Sequence, residues 1–441
     1  MNLSLVANHV RRLRADERGA VSVIMGVLMI PLVGALGLGF EVSNWYLTAR
    51  GMQNAADAAT LAAATNGGSN YDVEARAVAA QYGFVNGTNN ISIAVSNTAA
   101  CPGGGNNCYS VAISGSMPLL LSQIVGYRGD ATLNGAAAKQ LGSSAVANHP
   151  TMPKDFCLLA LGGQGIRSNG APKSNMACNT MSNTGSTCNG GNLGAPIGAA
   201  HNTNNGCGVK AYSNVPAIAD PYVGLASNIP ADPCGGSYPQ EPGKKGPSLP
   251  ASNQWSGSRS LPSGDTKFCG DLQLTGDVII NTPLGQPGAV LTIFNGQLDT
   301  NGYTIKTSNG SGLTVVFSGD NSGSYTHAPT GGGMLDIAAP TTGPWKGVAI
   351  YQDPKLTSGV DISAAGNTPA WDITGLVYLP NASVTLSGAV NKAGFGASCF
   401  AMVVKDITVN GTGMITPNGG CIPAGLSMPT TTLPGRPSLV L

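Results

Sequence analysis

The chain has 441 residues and a net charge of +1, with 42% hydrophobic, 10% charged and 5% aromatic residues. So little charge leaves no basic footprint for nucleic acid, and 63 glycines with scarce aromatics fit a turn-dense, exported structural protein.

Arg11, Arg12, Arg14 and Arg18 precede an uncharged apolar run over 20–40, AVSVIMGVLMIPLVGALGLGF. As a helix this run rises about 31 Å, which matches the roughly 30 Å hydrocarbon core of a bilayer. The arginines should hold residues 1–19 in the cytoplasm, and Trp45 with Tyr46 fall where an interfacial aromatic belt would sit. Glu41 marks where water begins. Ala20 to Phe40 therefore reads as a single-pass transmembrane helix, with everything beyond it exported. A cleavable signal peptide is the competing reading, because Ala35-Leu36-Gly37 is a passable cleavage site, but the apolar run continues past it. Pro31 is tolerated in a membrane helix. Ala35 and Gly39 form a small-xxx-small pair that could bring a partner helix close.

The helical pattern continues as an arm over 41–66. Val42, Trp45, Tyr46, Ala49, Met52, Ala56, Ala59 and Ala63 recur at steps of three and four, making one apolar stripe. A stripe built mostly of alanine suits close packing, either on a partner helix or on the chain's own domain. Arg50, Gln53, Asn54 and Asp57 form the solvated face.

The stretch ERGAVSVIMGVLMIPLVGALGLGFEVSNWYLTARGMQNAADAATLAAA carries Arg-Gly-Ala before the apolar helix, an acidic residue near its end, then Trp-Tyr. Gln53-Asn54-Ala55-Ala56-Asp57-Ala58-Ala59 follows. This pattern resembles the N-terminal segment of TadE/TadG-like proteins of the Flp (Tad) pilus-assembly system. The resemblance implies an inner-membrane anchor facing the periplasm, with pilus-assembly proteins as partners through the membrane helix and arm. Pilins of that system carry a glutamate five residues past the processing glycine. Counted from Gly19 that position is Ile24, so the chain resembles TadG-like proteins rather than pilins.

Residues 67–140 read as a small α+β, pilin-like module, similar to the periplasmic part of the same family. YDVEARAVAAQYGF predicts a short helix with Val73, Ala77 and Ala80 inward, stopping near Asn86-Gly87. ISIAVS (91–96) and YSVAIS (109–114) alternate as paired strands. Pro118 opens a short apolar helix, LLLSQIVGY, and DATLNGAAAKQ predicts a final strand. Cys101 and Cys108 bracket the loop PGGGNN and are the expected disulfide pair. All ten cysteines lie beyond the apolar helix, where disulfides persist. Zinc is the competing use, but there is no C-x-x-C, and His9, His149, His201 and His327 are scattered. The composition of 141–154 predicts a linker.

From 155 to 424 short apolar runs recur between Gly/Asn/Ser turns: LTIFNG, YTIKTSNG, LTVVFSG, GVAIYQ, ITGLVYLPNASVTLSG and CFAMVVKDITVNGTG. Strands this short predict an all-β, right-handed parallel β-helix, with one apolar column inside and polar residues outside. A β-sandwich with fewer, longer strands is the alternative. GLVYLPNASVTLSG…FAMVVKDITVNGTG also resembles β-helical domains attached to pilus-like anchors. Residues 212–266 predict a long loop projecting from this domain, and 425–441 a disordered tail.

An enzyme of the polysaccharide-cutting kind would need carboxylates converging across rungs. Asp271, Asp277, Asp299, Asp320, Asp336, Asp361 and Asp372 are the candidates, but none forms a catalytic pattern in sequence and turn aspartates ordinarily satisfy backbone amides. The expectation is a non-enzymatic, cofactor-free and metal-free assembly component, with self-association left open. The alternative is a surface adhesin or glycan-binding protein, for which Trp255, Trp345 and Trp371 would supply an exposed groove.

Overall fold

The computed structural model describes residues 17–440 apart from 103, 105–106, 125, 171–174, 177, 242–248, 323, 363–369, 388–398, 411–413 and 416–425. For 17–20, 175, 361–362, 370 and 414–415 it describes the backbone alone. Most of the expected cytoplasmic N-terminus, with Arg11, Arg12 and Arg14, lies outside the described residues, as does the side chain of Ala20. The chain splits into two compact units, Met1–Met152 with Pro434–Leu441, and Pro153–Leu433.

In the first unit, anchor and arm are one continuous helix, α1 (Glu17–Asn66), which passes through Pro31 without a break. Its 21–40 stretch leaves almost every side chain exposed, and it is long and apolar enough to cross a membrane. Four strands follow: β1 (Ser92–Ala99), β2 (Cys108–Pro118), β3 (Ala131–Leu133) and β4 (Ala136–Asn148). They pair antiparallel in the order β1-β2-β4, with β3 on β4. The C-terminal half of α1 and a second helix, α2 (Tyr71–Gln81), close over this sheet. Met52, Ala55, Ala56, Ala59 and Ala63 share one core with Ala75, Ala79, Val111, Ile113 and Ala147. Alanine is the right size here, since it lets helix backbones approach the sheet with no cavity left between.

Several expectations for this unit are corrected. α2 ends at Gln81 and turns Ala75 and Ala79 inward, leaving Val73, Ala77 and Ala80 exposed. Its phase follows Tyr71, whose ring meets Tyr109 edge-on, and Arg76, which donates to the Ile93 carbonyl. The described residues of LLLSQIVGY form turns and bends rather than a helix. DATLNGAAAKQ is a hairpin, not one strand: Asn134 and Gly135 both take positive φ, 48° and 80°, as a two-residue hairpin turn requires. The supposed linker 141–154 begins as the second half of the 13-residue β4, in register with β2 from Cys108↔Asn148 to Pro118↔Ala138. Within the tail expected to be disordered, Thr430–Pro434 and Ser438–Val440 are strands, and the latter pairs with the free edge of β4.

The second unit is a large parallel β-sheet region. One ladder runs through Gly264–Cys269, Ala289–Phe294, Leu313–Ser318, Val348–Gln352, the middle of Ala370–Leu386 and the start of Phe400–Asn410. It then continues, still parallel, into Leu158–Ala160, Thr180–Ser182, Ile197–Ala200 and Lys210–Tyr212. A second ladder stacks Gln254–Ser260, Leu272–Asn281, Thr304–Thr307, Met334–Ala338 and the start of Ala370–Leu386. The ends of Ala370–Leu386 and Phe400–Asn410 carry a third ladder into Ile166–Asn169, Ser186–Cys188 and Asn204–Asn205. Parallel pairing throughout is consistent with the expected β-helix and speaks against the antiparallel sandwich.

The order of levels is permuted relative to the chain. Residues 158–212 form one end of the stack, 254–281 form the other, and the two runs meet where Phe400–Asn410 pairs with Leu158–Ala160 and Ile166–Asn169. At about 4.8 Å per parallel neighbour, the chain must travel roughly 40 Å from Tyr212 back to Gln254. The predicted loop over 212–266 is this return path. It does not project. Its described residues lie along the stack, and its last part is already strand, Gln254–Ser260 and Gly264–Cys269.

The first ladder is apolar on both faces, unlike the inside/outside pattern expected. One column, Leu291, Val315, Ile350, Val377, Met402 and Leu158, joins the inner core with Leu274, Ile280 and Leu335. The opposite column, Val316, Tyr351, Tyr378, Val403, Leu159 and Met181, is covered by Val215, Ile218, Tyr222, Leu426 and Leu433. Strands buried on both faces read as unbroken apolar runs, and VAIYQ and FAMVV are such runs.

Candidate functional site

The family-like motif lies where α1 crosses its sheet. Ala55, Ala56 and Ala59 are fully buried there, and Met52 is 1% exposed. Around them polar groups are spent locally: Gln53 Nε2 donates to Asp57 Oδ1 at 2.7 Å and to the Ser144 carbonyl at 3.3 Å. Thr60 Oγ1 donates to the Ala56 carbonyl, and Ser143 Oγ to the Ala49 carbonyl. Asn54 is exposed. The part of the stripe from Met52 to Ala59 therefore packs on the chain's own sheet rather than on a partner helix. Ala49 and Trp45 are half-buried, and Val42 is exposed.

What α1 leaves open is its earlier length. Pro31, Ala35, Gly39 and Phe40 are exposed, as are Val42, Tyr46 and Leu47. Glu41 is the exception: it is 4% exposed, and its carboxylate accepts the amides of Leu120, Leu121 and Ser122 at 2.8, 3.0 and 2.7 Å. Trp45 and Tyr127 stand beside it with ring centroids 5.8 Å apart. Cys101 and Cys108 are bonded, with Cα atoms 5.4 Å apart, closing the β1–β2 connection. Cys157–Cys178, Cys188–Cys207 and Cys234–Cys269 are the further pairs, Cys399 is disulfide-bonded too, and no described cysteine is free.

The second unit gathers carboxylates that the sequence showed only as scattered turn residues. Asp271, 3% exposed, accepts the amides of Glu241 and Gln297 at 2.7 and 3.0 Å. Asp299 accepts the Asn301 amide and Gln273 Nε2. Burial first, and then the Asp299 and Asp271 carboxylates, push Glu241 up to about 8. Burial also lifts Asp271, against the pull of its two amide donors. Asp336 and Asp372 sit in register on neighbouring strands, and burial raises both. Glu241 escaped sequence reasoning because it lies in the return segment, beside a run of prolines and glycines.

Chemically the group, with Glu241 pushed toward its neutral form, is spent on the chain itself: Gln297 Nε2 donates to Glu241 Oε2 at 3.3 Å, and Asp271 holds the backbone of the return segment and of the ladder. The Asp271 amide donates to the Pro239 carbonyl, and Gln240 Nε2 donates to the Asn295 carbonyl. It fastens the chain there. The same segment is held level by level along the stack. The Val215 amide meets Ala200, Asn183 pairs twice with Ile218, Tyr378 Oη donates to Asp220 at 2.6 Å, Asn228 reaches Pro344, and Cys234 is bonded to Cys269. Val215, Ile218, Tyr222, Leu225 and Ile229 recur at steps of three and four, a signal that could have revealed a packed strap. Among the described residues no three His, Cys, Asp or Glu side chains are set to hold a metal ion.

A helix long and apolar enough to cross a membrane suggests a membrane anchor, and the disulfides beyond it suggest an extracytoplasmic bulk. Residues 19–66 match the family model described as "Putative Flp pilus-assembly TadE/G-like" (Tad). That match covers α1 and leaves the parallel-sheet unit unassigned. No curated protein and no solved structure matches the chain.

Proposed function

We propose that the protein is a non-enzymatic, single-pass component of Flp/Tad-type pilus assembly, held in the inner membrane with its N-terminus cytoplasmic and a β-helix-like unit outside. The observation that carries this reading is the family match over 19–66, on a helix whose membrane-length half leaves almost every side chain exposed. In this reading the exposed face of α1, not its alanine stripe, meets the pilus-assembly partners. The parallel stack is a rigid, disulfide-braced spacer.

The adhesin alternative draws no support from tryptophan: Trp255, Trp345 and Trp371 are all buried at 4% exposure or less. The test is site-specific photo-crosslinking in native membranes from Tyr46 and Leu47, which are exposed, with Met52 as the buried control. Adducts with pilus-assembly proteins from the exposed pair alone are expected. Retention of purified glycans by the outer unit, with no such adducts, would overturn the reading.

A further inference from the structure

The turn after β2 presents a combination that water does not favour. Leu120 is 67% exposed, Ile124 77% and Leu121 39%, three large apolar side chains on six residues of loop. Most of its described backbone amides, by contrast, are satisfied within the protein. The amides of Leu120, Leu121 and Ser122 end on Glu41, those of Ile124, Gly126 and Tyr127 on the carbonyls of Leu121, Gln123 and Ser122, and Gln123 Nε2 covers the Leu119 carbonyl. A loop in water has no need of this, because water satisfies its amides. A loop in hydrocarbon cannot exist without it, since each open backbone group there costs several kcal/mol.

Its position agrees. Leu121 lies so close to α1 that a Cβ added at Gly37 would come within 2.7 Å of its Cδ1. Leu121 and Ile124 line an apolar hollow of about 320 Å³ with Met29, Ile30, Val33 and Gly34. At 1.5 Å per residue these helix positions lie roughly 6–18 Å on the membrane side of Glu41. Polar groups begin on the other side, with the Trp45–Tyr127 ring pair and the Lys139–Asp130 ion pair.

We propose that residues 119–124 form a second membrane element: an apolar finger, hung by its amides from Glu41, that enters the outer half of the bilayer beside α1 with lipid acyl chains covering Leu120 and Ile124. The occupant is lipid because the finger lies against the membrane-length part of α1, at the depth where that helix is itself uncovered. Trp45 and Tyr127 then sit at the headgroup level, where such rings belong. Glu41, which reads in sequence as the end of the apolar run, is the fastener that fixes the depth of both elements. The inference rests on the membrane-anchor reading, and its test separates the two.

Full-length protein is reconstituted into lipid vesicles with an environment-sensitive fluorophore placed through Ile124→Cys, Ile30→Cys or Asn97→Cys. Quenching by acyl-chain-brominated lipid is compared with quenching by aqueous iodide. The native cysteines described are all disulfide-bonded and stay unlabelled. The expected result is that the label at 124 loses emission to brominated lipid as the label at 30 does, while the label at 97 responds only to iodide. Bromolipid quenching at 30 with iodide quenching at 124 would remove the finger from the bilayer and leave the anchor standing. Iodide quenching at both 30 and 124 would overturn the anchor as well. Protection at 124 from both quenchers would mean that protein covers it, which also sinks the proposal. Glu41→Gln should shift the label at 124 toward iodide and leave that at 30 unchanged.

Discussion

The helix-on-sheet unit and the parallel stack both bury apolar stripes, but they close in opposite ways. In the first unit the antiparallel strands pair through short connections, and α1 covers them with alanines that admit no larger side chain. In the second, levels built from both ends of the segment meet in the middle, and a return strap runs outside to complete a second core. The joint there is far apart in the chain: Asn169 and Asn410 are hydrogen-bonded neighbours separated by 241 residues. Close packing of small residues holds the one, and a strap fastened at many levels holds the other. Damage should therefore spread differently in each.

The largest effect expected is on the strap side. Val403 is fully buried in the outward column between Tyr378 and Leu159. Val403→Asp places an unpaired charge under the strap and should cost about 4 kcal/mol or more, removing the second unit's unfolding transition in a denaturant titration. Next, Cys234→Ser with Cys269→Ser opens a disulfide across 35 residues. The loss should be about 3–4 kcal/mol, with faster limited proteolysis between 213 and 253. On the helix side, Ala56→Leu should cost about 1–3 kcal/mol by overpacking, while Leu at the exposed neighbour Asn54 changes stability by about 0.5 kcal/mol or less. Equal effects at 54 and 56 would break the account of the alanine stripe.

The smallest effect sharpens the role of Glu241. Its folded-state value of about 8 lies above its ordinary 4.5, so the folded chain holds a proton that the unfolded chain has released. The stability from that proton is complete below about 4.5 and is lost as pH rises through about 8. Glu241→Gln should flatten this fall. Discounted for solvent screening, the variant should be more stable at pH 8 by about 1 kcal/mol, or about 2–4 °C in melting temperature. A stability profile unchanged by the substitution would remove Glu241 from the fastening of the strap.

How much was legible follows the same division. The anchor, the arm, strands β1 and β2 and the Cys101–Cys108 loop are local patterns, visible as periodicity and turn residues. The short strands of the stack were visible too. The order of their levels was not, because nothing in a strand's own residues says which distant strand lies beside it. The unbroken runs VAIYQ and FAMVV were instead read with an inside and an outside, and the 215–229 spacing that marks the cover of their second face was masked by the proline and glycine around it. The Glu241 carboxylate group was hidden for the same reason: its members come together only when the strap has returned.

The permuted joint can be tested directly at Asn169 and Asn410, which face each other in register on the third ladder with their side-chain amides 2.8 Å apart. In Asn169→Cys/Asn410→Cys protein, mild oxidation followed by peptide mapping should recover one peptide pair linking the two positions, in otherwise native protein. Absence of that link, with position 410 left reactive in the folded chain, would contradict the meeting of the two runs of levels and with it the need for a strap.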